Sequence, residues 1–287
     1  MTDPVPSAHR QPVTQAPASF DEAASVAEQA DGSFRCQISP PWSQGRTVFG
    51  GVLAAMMAGA MASKVNPDLR LRTLQAIFLA PLAAGLASVC ASSDRVGSNT
   101  AFTSAQVTQD GRLSARCNAV FARDRASAIE VRPAPPIIPL GFDDAPALPF
   151  IEGLTPEFTR NFDFRWAVGG FPMTGSAEAE LGGYCRHTTT ATGVGAVLGL
   201  LDAWPPPVLP IATGPTFAST IALTAHILRD VPDLTGRWCT FRYRTVSAAN
   251  GYATYLGTLA VDESVVAWTE QVAAVFDSPN PAGKPTT

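Results

Sequence analysis

The chain has 287 residues, 46% of them hydrophobic and only 15% charged, with a net charge of −4. That length suits two domains or one large one, with a core large enough to need no staples. The lack of any Lys or Arg run argues against nucleic acid as a partner, and no apolar stretch is long enough to span a bilayer.

Residues 1–18 are rich in Pro, Ala, Ser and Thr and read as disordered. The N-terminus lacks the basic-then-apolar layout of a signal peptide. The five cysteines, at 36, 90, 117, 185 and 239, are odd in number and scattered. They read as reduced thiols of a cytoplasmic protein, with no disulfide framework and no zinc site.

A first repeat is expected over 19–125. A short strand region (Gly32 to Ile38) precedes an apolar helix, Gly50 to Ala62, with no charged residue between Arg46 and Lys64. A helix apolar all round must be buried all round. Strands follow at Leu71 to Leu79, Ala87 to Ser93, Ala101 to Gln109 and Leu113 to Ala122, divided by Pro81, Gly97 and the pair Asp110-Gly111. Asp-Gly between strand-like runs is a hairpin signal.

A Pro-rich linker is expected over 126–158, because proline is kept out of helix interiors and central strands. A second repeat is expected over 159–277. It shows a strand region (Asn161 to Gly169), an apolar helix (Gly193 to Trp204), and strands Ala218 to Leu228, Trp238 to Val246, Ala253 to Val261 and Val265 to Phe276. Residues 278–287 read as a disordered tail.

The two halves align. Leu74 matches Leu223 at an offset of 149 (223 − 74), and Asp110 matches Asp262 at 152 (262 − 110). An offset drifting by only three residues indicates duplication. Consecutive antiparallel strands wrapped around one buried helix, twice over, predict an α+β double hotdog whose sheets join edge to edge. Such sheets leave one face needing cover. With so little charge, at least a homodimer is expected.

The second helix is as apolar as the first except for Asp202, whose register counterpart is Ala60. A buried carboxylate is costly unless paired or hydrogen-bonded. Asp202 is either a functional acid or simply a residue at a frayed helix end before Pro205. Alternation puts Thr220, Thr224 and His226 on one face of their strand, with Leu223 on the other. A strand Thr is commonly no more than β-propensity, and Gln271 is a polar residue in an otherwise apolar strand.

Three other signals carry less. Gly193 to Gly199 nearly forms a dinucleotide fingerprint, but its last spacing is one residue too long. No Gly-x-Ser-x-Gly occurs. Cys185 and His187 lack two further ligands, so no metal is expected. His187 reads as a loop residue and His226 as a strand residue with a local partner.

Together, the helix ending in Asp202, the strand Ser219 to Arg229, the strand from Trp268 to Val272 and the first-half runs at Val48 and Gln75 resemble the acyl-CoA thioesterase II family, over roughly 20–276. This is a double-hotdog family. The resemblance implies that Asp202, Thr220 and Gln271 orient an attacking water. It also implies an acyl-CoA substrate and no cofactor. The chain departs from the family pattern at Ala222 and Leu223, where an acid and a His are usual, and at Arg229-Asp230. Backbone N–H groups at Gly50, Gly51 and Gly193 are candidate oxyanion donors. A hydratase pattern would need a His five residues past Asp202, and Pro207 stands there. A catalytically degenerate acyl-CoA or lipid binder, and a thioesterase acting on a carrier-bound acyl group, remain the alternatives.

Overall fold

The computed structural model describes residues 18–277. The disorder expected before residue 18 and after 277 falls outside the described residues. Helix α1 (Phe20–Ala23) and strands β1 (Ala27–Glu28) and β2 (Phe34–Ile38) precede a small hairpin, β3 (Ser43–Gln44) and β4 (Thr47–Val48). Helix α2 (Gly50–Ala62) leads to β5 (Arg70–Phe78), β6 (Gly85–Val96), β7 (Thr100–Gln109) and β8 (Arg112–Ala122). The second half places β9 (Phe162–Val168) and β10 (Glu180–His187) before α3 (Gly193–Asp202). Strands β11 (Thr216–Ile227), β12 (Cys239–Ala249), β13 (Tyr252–Val261) and β14 (Ser264–Asp277) complete it.

Twelve strands form one antiparallel sheet, ordered β1-β2-β6-β7-β8-β5-β11-β14-β13-β12-β10-β9. The order reads the same way outward from the β5–β11 junction in both directions, so the fold is an α+β double hotdog with its halves joined edge to edge. The irregularities repeat too. Register slips at Ser93–Arg95 and Val107–Thr108 recur at Thr245–Ser247 and Leu259–Ala260, each 152 residues later (245 − 93; 259 − 107). The slip at Leu71–Thr73 recurs at Thr220–Ala222, 149 later (220 − 71). A β-bulge re-aims every side chain beyond it, so matched bulges place side chains alike in both repeats.

One expected correspondence is corrected. The counterpart of β2 is β10, since β2 pairs with β6 and β10 with β12. The strand at Phe162–Val168, matched to β2 in the sequence, is one place further out and corresponds to β1. Strand β10 was hidden because Gly182-Gly183 reads as a turn. In fact these glycines have φ 159° and 141°, and a Cβ on either would lie 2.2 Å from the Phe241 carbonyl oxygen or 2.0 Å from that of Arg165. His187 is likewise no loop residue: it ends β10 fully buried, its Nε2 3.0 Å from the Ala196 carbonyl oxygen.

The two helices run antiparallel through the core. Gly51 meets Gly199, and Gly195 meets Ala55. A Cβ on Gly51 would lie 2.9 Å from the Gly199 Cα, so only glycine allows this approach. Helix α2 has no side-chain cap; it is held by burial. Met56, Met57 and Met61 are fully enclosed, each worth about 1.5–3 kcal/mol. Helix α3 stops at Asp202 because Pro205 to Pro207 cannot continue it. The Pro-rich stretch between the halves is irregular but fastened to the second repeat: Arg242 donates to the Ile137 carbonyl, Tyr184 to that of Leu140 and Arg165 to that of Phe142.

Candidate active site

Strand β11 carries the first surprise. Strict alternation would oppose Thr220 to Leu223. The bulge leaves Ile221 unpaired, with Thr220 opposite Ala273, Ala222 opposite Val272 and Leu223 opposite Gln271. Thr220 and Leu223 therefore share the inner face with Gln271, while Thr224 and His226 face outward. There His226 stacks on Trp268 with ring centroids 4.2 Å apart. The extra residue is what turns Thr220 inward.

Gln271 is buried and fully oriented. Its Nε2 donates to the Leu201 carbonyl at 2.8 Å, and its Oε1 accepts from the Tyr255 hydroxyl at 2.8 Å. A carbonyl can only accept, so the amide cannot be flipped. Thr220 is held more loosely, its Oγ1 3.5 Å from Gln271 Oε1 and 3.4 Å from the Tyr255 hydroxyl. Tyr243 also donates to Leu201, at 3.0 Å. Two buried donors thus grip the carbonyl of the residue next to Asp202.

Asp202 ends α3. The residue keeps a partial opening to solvent, while its carboxyl lies deep in protein. Burial pushes it up to about 7, and a hydrogen bond from the Gly51 N–H pulls the other way. Its charge bears on both Tyr243 and Tyr255, which burial above all keeps well above the usual phenol range and hence protonated. Gly50 sits against the carboxylate: a Cβ there would lie 2.7 Å from Asp202 Oδ2 and 3.1 Å from Phe78 Cζ. The N-terminus of the first repeat's helix thus cups the acid of the second.

Asp202, Thr220, Gln271, Gly50 and Gly51 are brought to one place. Gly193 is not. It opens α3, and nine steps (202 − 193) of about 1.5 Å each put it roughly 13 Å from Asp202. An N–H there cannot serve the same oxyanion. Reasoning from sequence missed Tyr255 and Tyr243. The available signal was Gly257 inside a strand, which marks close approach; a Cβ there would lie 2.1 Å from Tyr243 Cε1.

The first repeat carries no acid on α2, and has Leu71, Thr103 and Ala119 where the second has Thr220, Tyr255 and Gln271. All three are buried, and Thr103 merely bonds the Ala119 carbonyl. Among the described residues there is no cluster suited to a metal ion and no helix long and apolar enough to cross a membrane.

A double hotdog with one polar, acid-bearing repeat and one apolar repeat defines the class. Within it, residues 38–122 match the acyl-CoA thioesterase N-terminal domain and residues 142–275 the C-terminal domain, so the chain belongs to the acyl-CoA thioesterase II-like family. Solved structures share the fold. A hotdog protein of unknown function from Alicyclobacillus acidocaldarius aligns at 21% identity with a TM-score of 0.79, covering 90% of this chain and 98% of that one. A protein assigned as a thioesterase II from Thermobifida fusca YX aligns at 20% and 0.76, covering 91% and 99%. The acyl-CoA thioesterase II TesB2 of Mycobacterium marinum aligns at 17% and 0.72, covering 91% and 99%. No curated protein sequence matches the chain.

Proposed function

We propose that the chain hydrolyses an acyl-CoA thioester to the free acid and CoA, by direct attack of water and without a covalent intermediate. The observation that carries this reading is the buried Asp202 carboxyl, pushed up to about 7 and following directly on Leu201, whose carbonyl Gln271 holds. A base is most effective when its pKa lies near the working pH. Asp202 takes a proton from water as the oxygen attacks the thioester carbonyl carbon. Thr220 and the free N–H of Gln271 orient that water. The C–S bond then breaks, and the thiolate leaves carrying the electron pair and is reprotonated. The Gly50 N–H, at the positive end of α2, stabilises the transient oxyanion. The Gly51 N–H is engaged by Asp202 itself.

A nucleophile drawn from the four buried cysteines fits poorly. Burial pushes the thiols of Cys36 up to about 11 and of Cys117 and Cys239 to about 12, and holds Cys185 well above the usual thiol range. Thiols so held are not thiolates at neutral pH.

The acyl group is assigned to a cleft of about 690 Å³ lined by Val208, Ile211, Thr216, Tyr252 and Val275. Inward positions on β11 run from Thr216 through Ala218 to Thr220. No Lys or Arg lines the cleft, so it suits an acyl chain better than the phosphates of CoA. Hydrolysis assays across acyl-CoA chain lengths, with an acyl carrier protein in parallel, test the reading. Turnover of the carrier-bound substrate alone would reassign the donor. Binding without turnover of any substrate would make the chain a degenerate binder.

A further inference from the structure

Resting on that reading, we propose that Tyr255 is a positioning residue: its hydroxyl occupies Gln271 Oε1 and so leaves the Thr220 hydroxyl free for the attacking water. Gln271 Oε1 has two lone pairs and two hydroxyls within reach, which it holds very unequally. Tyr255 lies at 2.8 Å, a full hydrogen bond; Thr220 lies at 3.5 Å, at the limit of one. Geometry sets the difference, and the strong Tyr255 bond leaves the amide oxygen little need of Thr220. Tyr255 stands directly opposite Gln271 across β13 and β14, in a buried rung where its donor has no water to turn to. Thr220 sits one strand over, at the bulge, partly open.

Without the phenol hydroxyl, Oε1 would be a buried acceptor lacking its main partner. Such a group costs free energy until it finds another. The nearest donor is Thr220. Rotation of its hydroxyl toward Gln271 would satisfy the amide and withdraw that donor from the water. Tyr255 does not itself exchange a proton, because burial holds it protonated throughout the working range.

A double-mutant cycle decides the matter. Tyr255→Phe keeps the ring and removes the hydroxyl; kcat for the best acyl-CoA should fall roughly five- to tenfold with little change in KM, the size of one lost hydrogen bond. Its acid limb should stay where the wild type has it. Added to Gln271→Ala, it should cost nothing further, since the amide it orients is gone. A full multiplicative loss in the Gln271→Ala background would overturn the proposal, as would an undiminished kcat in Tyr255→Phe. A change in KM alone would also overturn it, pointing to substrate contact. Thermal unfolding checks that each variant folds. If Tyr255→Phe does not, Tyr255→Met, which fills the space without a hydroxyl, takes its place. A wild type inactive on every thioester would overturn the functional reading and this role together, an outcome distinct from an active enzyme with an additive cycle.

Discussion

Gln75 and Thr224 face each other across the β5–β11 junction, and they are also counterparts in the two repeats, 149 residues apart (224 − 75). A residue paired with its own counterpart lies on the two-fold axis relating the halves. The flanking rungs obey the same symmetry: Leu74 is opposite Ala225, and Ala76 opposite Leu223. The Leu and Ala of each repeat therefore exchange partners across the axis. The strand order and the matched bulges are two-fold symmetric, while the polar side chains Asp202, Thr220, Tyr255 and Gln271 lie in the second half alone.

The acid of this site should set the pH dependence of activity. Asp202 must be ionised to take a proton, and its folded value lies near 7. We expect kcat/KM to rise through an apparent pKa of about 7 and then level off. Asp202→Asn should remove most turnover while leaving the fold intact. A pH profile flat from 5 to 9, or an active Asn variant, would show that the base is another group.

Two buried groups should pull stability in opposite directions with pH. Burial lowers His187 from 6.5 to about 4. It is neutral in the fold and charged when unfolded, so its contribution is present above 6.5 and is lost on acidification toward 4. Asp202 is raised from 3.8 to about 7. Its contribution is present below 3.8 and is lost as pH rises toward 7. Each shift corresponds to a few kcal/mol, on the order of 3. Wild-type stability should accordingly change little between pH 4 and 6.5. Asp202→Asn leaves His187 unopposed, so its urea midpoint should drop steeply on acidification from pH 6.5 to 4. A wild type and variant with parallel pH profiles would refute the pairing.

Glycine substitutions should separate chemistry from packing. A methyl on Gly50 meets the Asp202 carboxylate at 2.7 Å; a methyl on Gly51 meets the Gly199 backbone at 2.9 Å. A side-chain carboxylate can move, so Gly50→Ala should cut kcat at least tenfold with a small change in Tm. A helix backbone cannot move so easily, and Gly51→Ala should destabilise by about 1–3 kcal/mol through overpacking. Kinetics and thermal melts on the two variants check this contrast.

The outward face should mediate self-association. Phe217 and Phe276 are paired across β11 and β14 with exposures of 73% and 61%. Large apolar side chains clustered outside mark an interaction surface. Sedimentation should give a dimer or larger, and Phe217→Asp with Phe276→Asp should shift it toward a monomer. A wild type that is already monomeric at micromolar concentration would contradict this.

Much of the architecture was legible in the chain, because the duplicated pattern and the uniformly apolar helices impose it. What periodicity could not carry was the bulge at Ile221. Alternation assumes an uninterrupted ladder, and one extra residue reversed the inferred face of Thr220 relative to Leu223. Strand β10 escaped for a related reason, its two glycines serving close backbone approach where the same letters commonly mark a turn. Tyr255 was invisible for a third. An aromatic in a strand pattern is packing until its hydroxyl is seen to meet an amide.

The small residues at the first repeat's counterpart positions fix the stoichiometry. With Leu71 and Ala119 buried where the second repeat holds a hydroxyl and an amide, the proposed site would process one thioester per protomer at a time. A dimer would then have two turnover centres rather than four. The apolar repeat serves as the rigid wall that holds α2, and with it the glycine N-terminus, in register with the acid. Titration with a non-hydrolysable acyl-CoA analogue should saturate at one equivalent per chain.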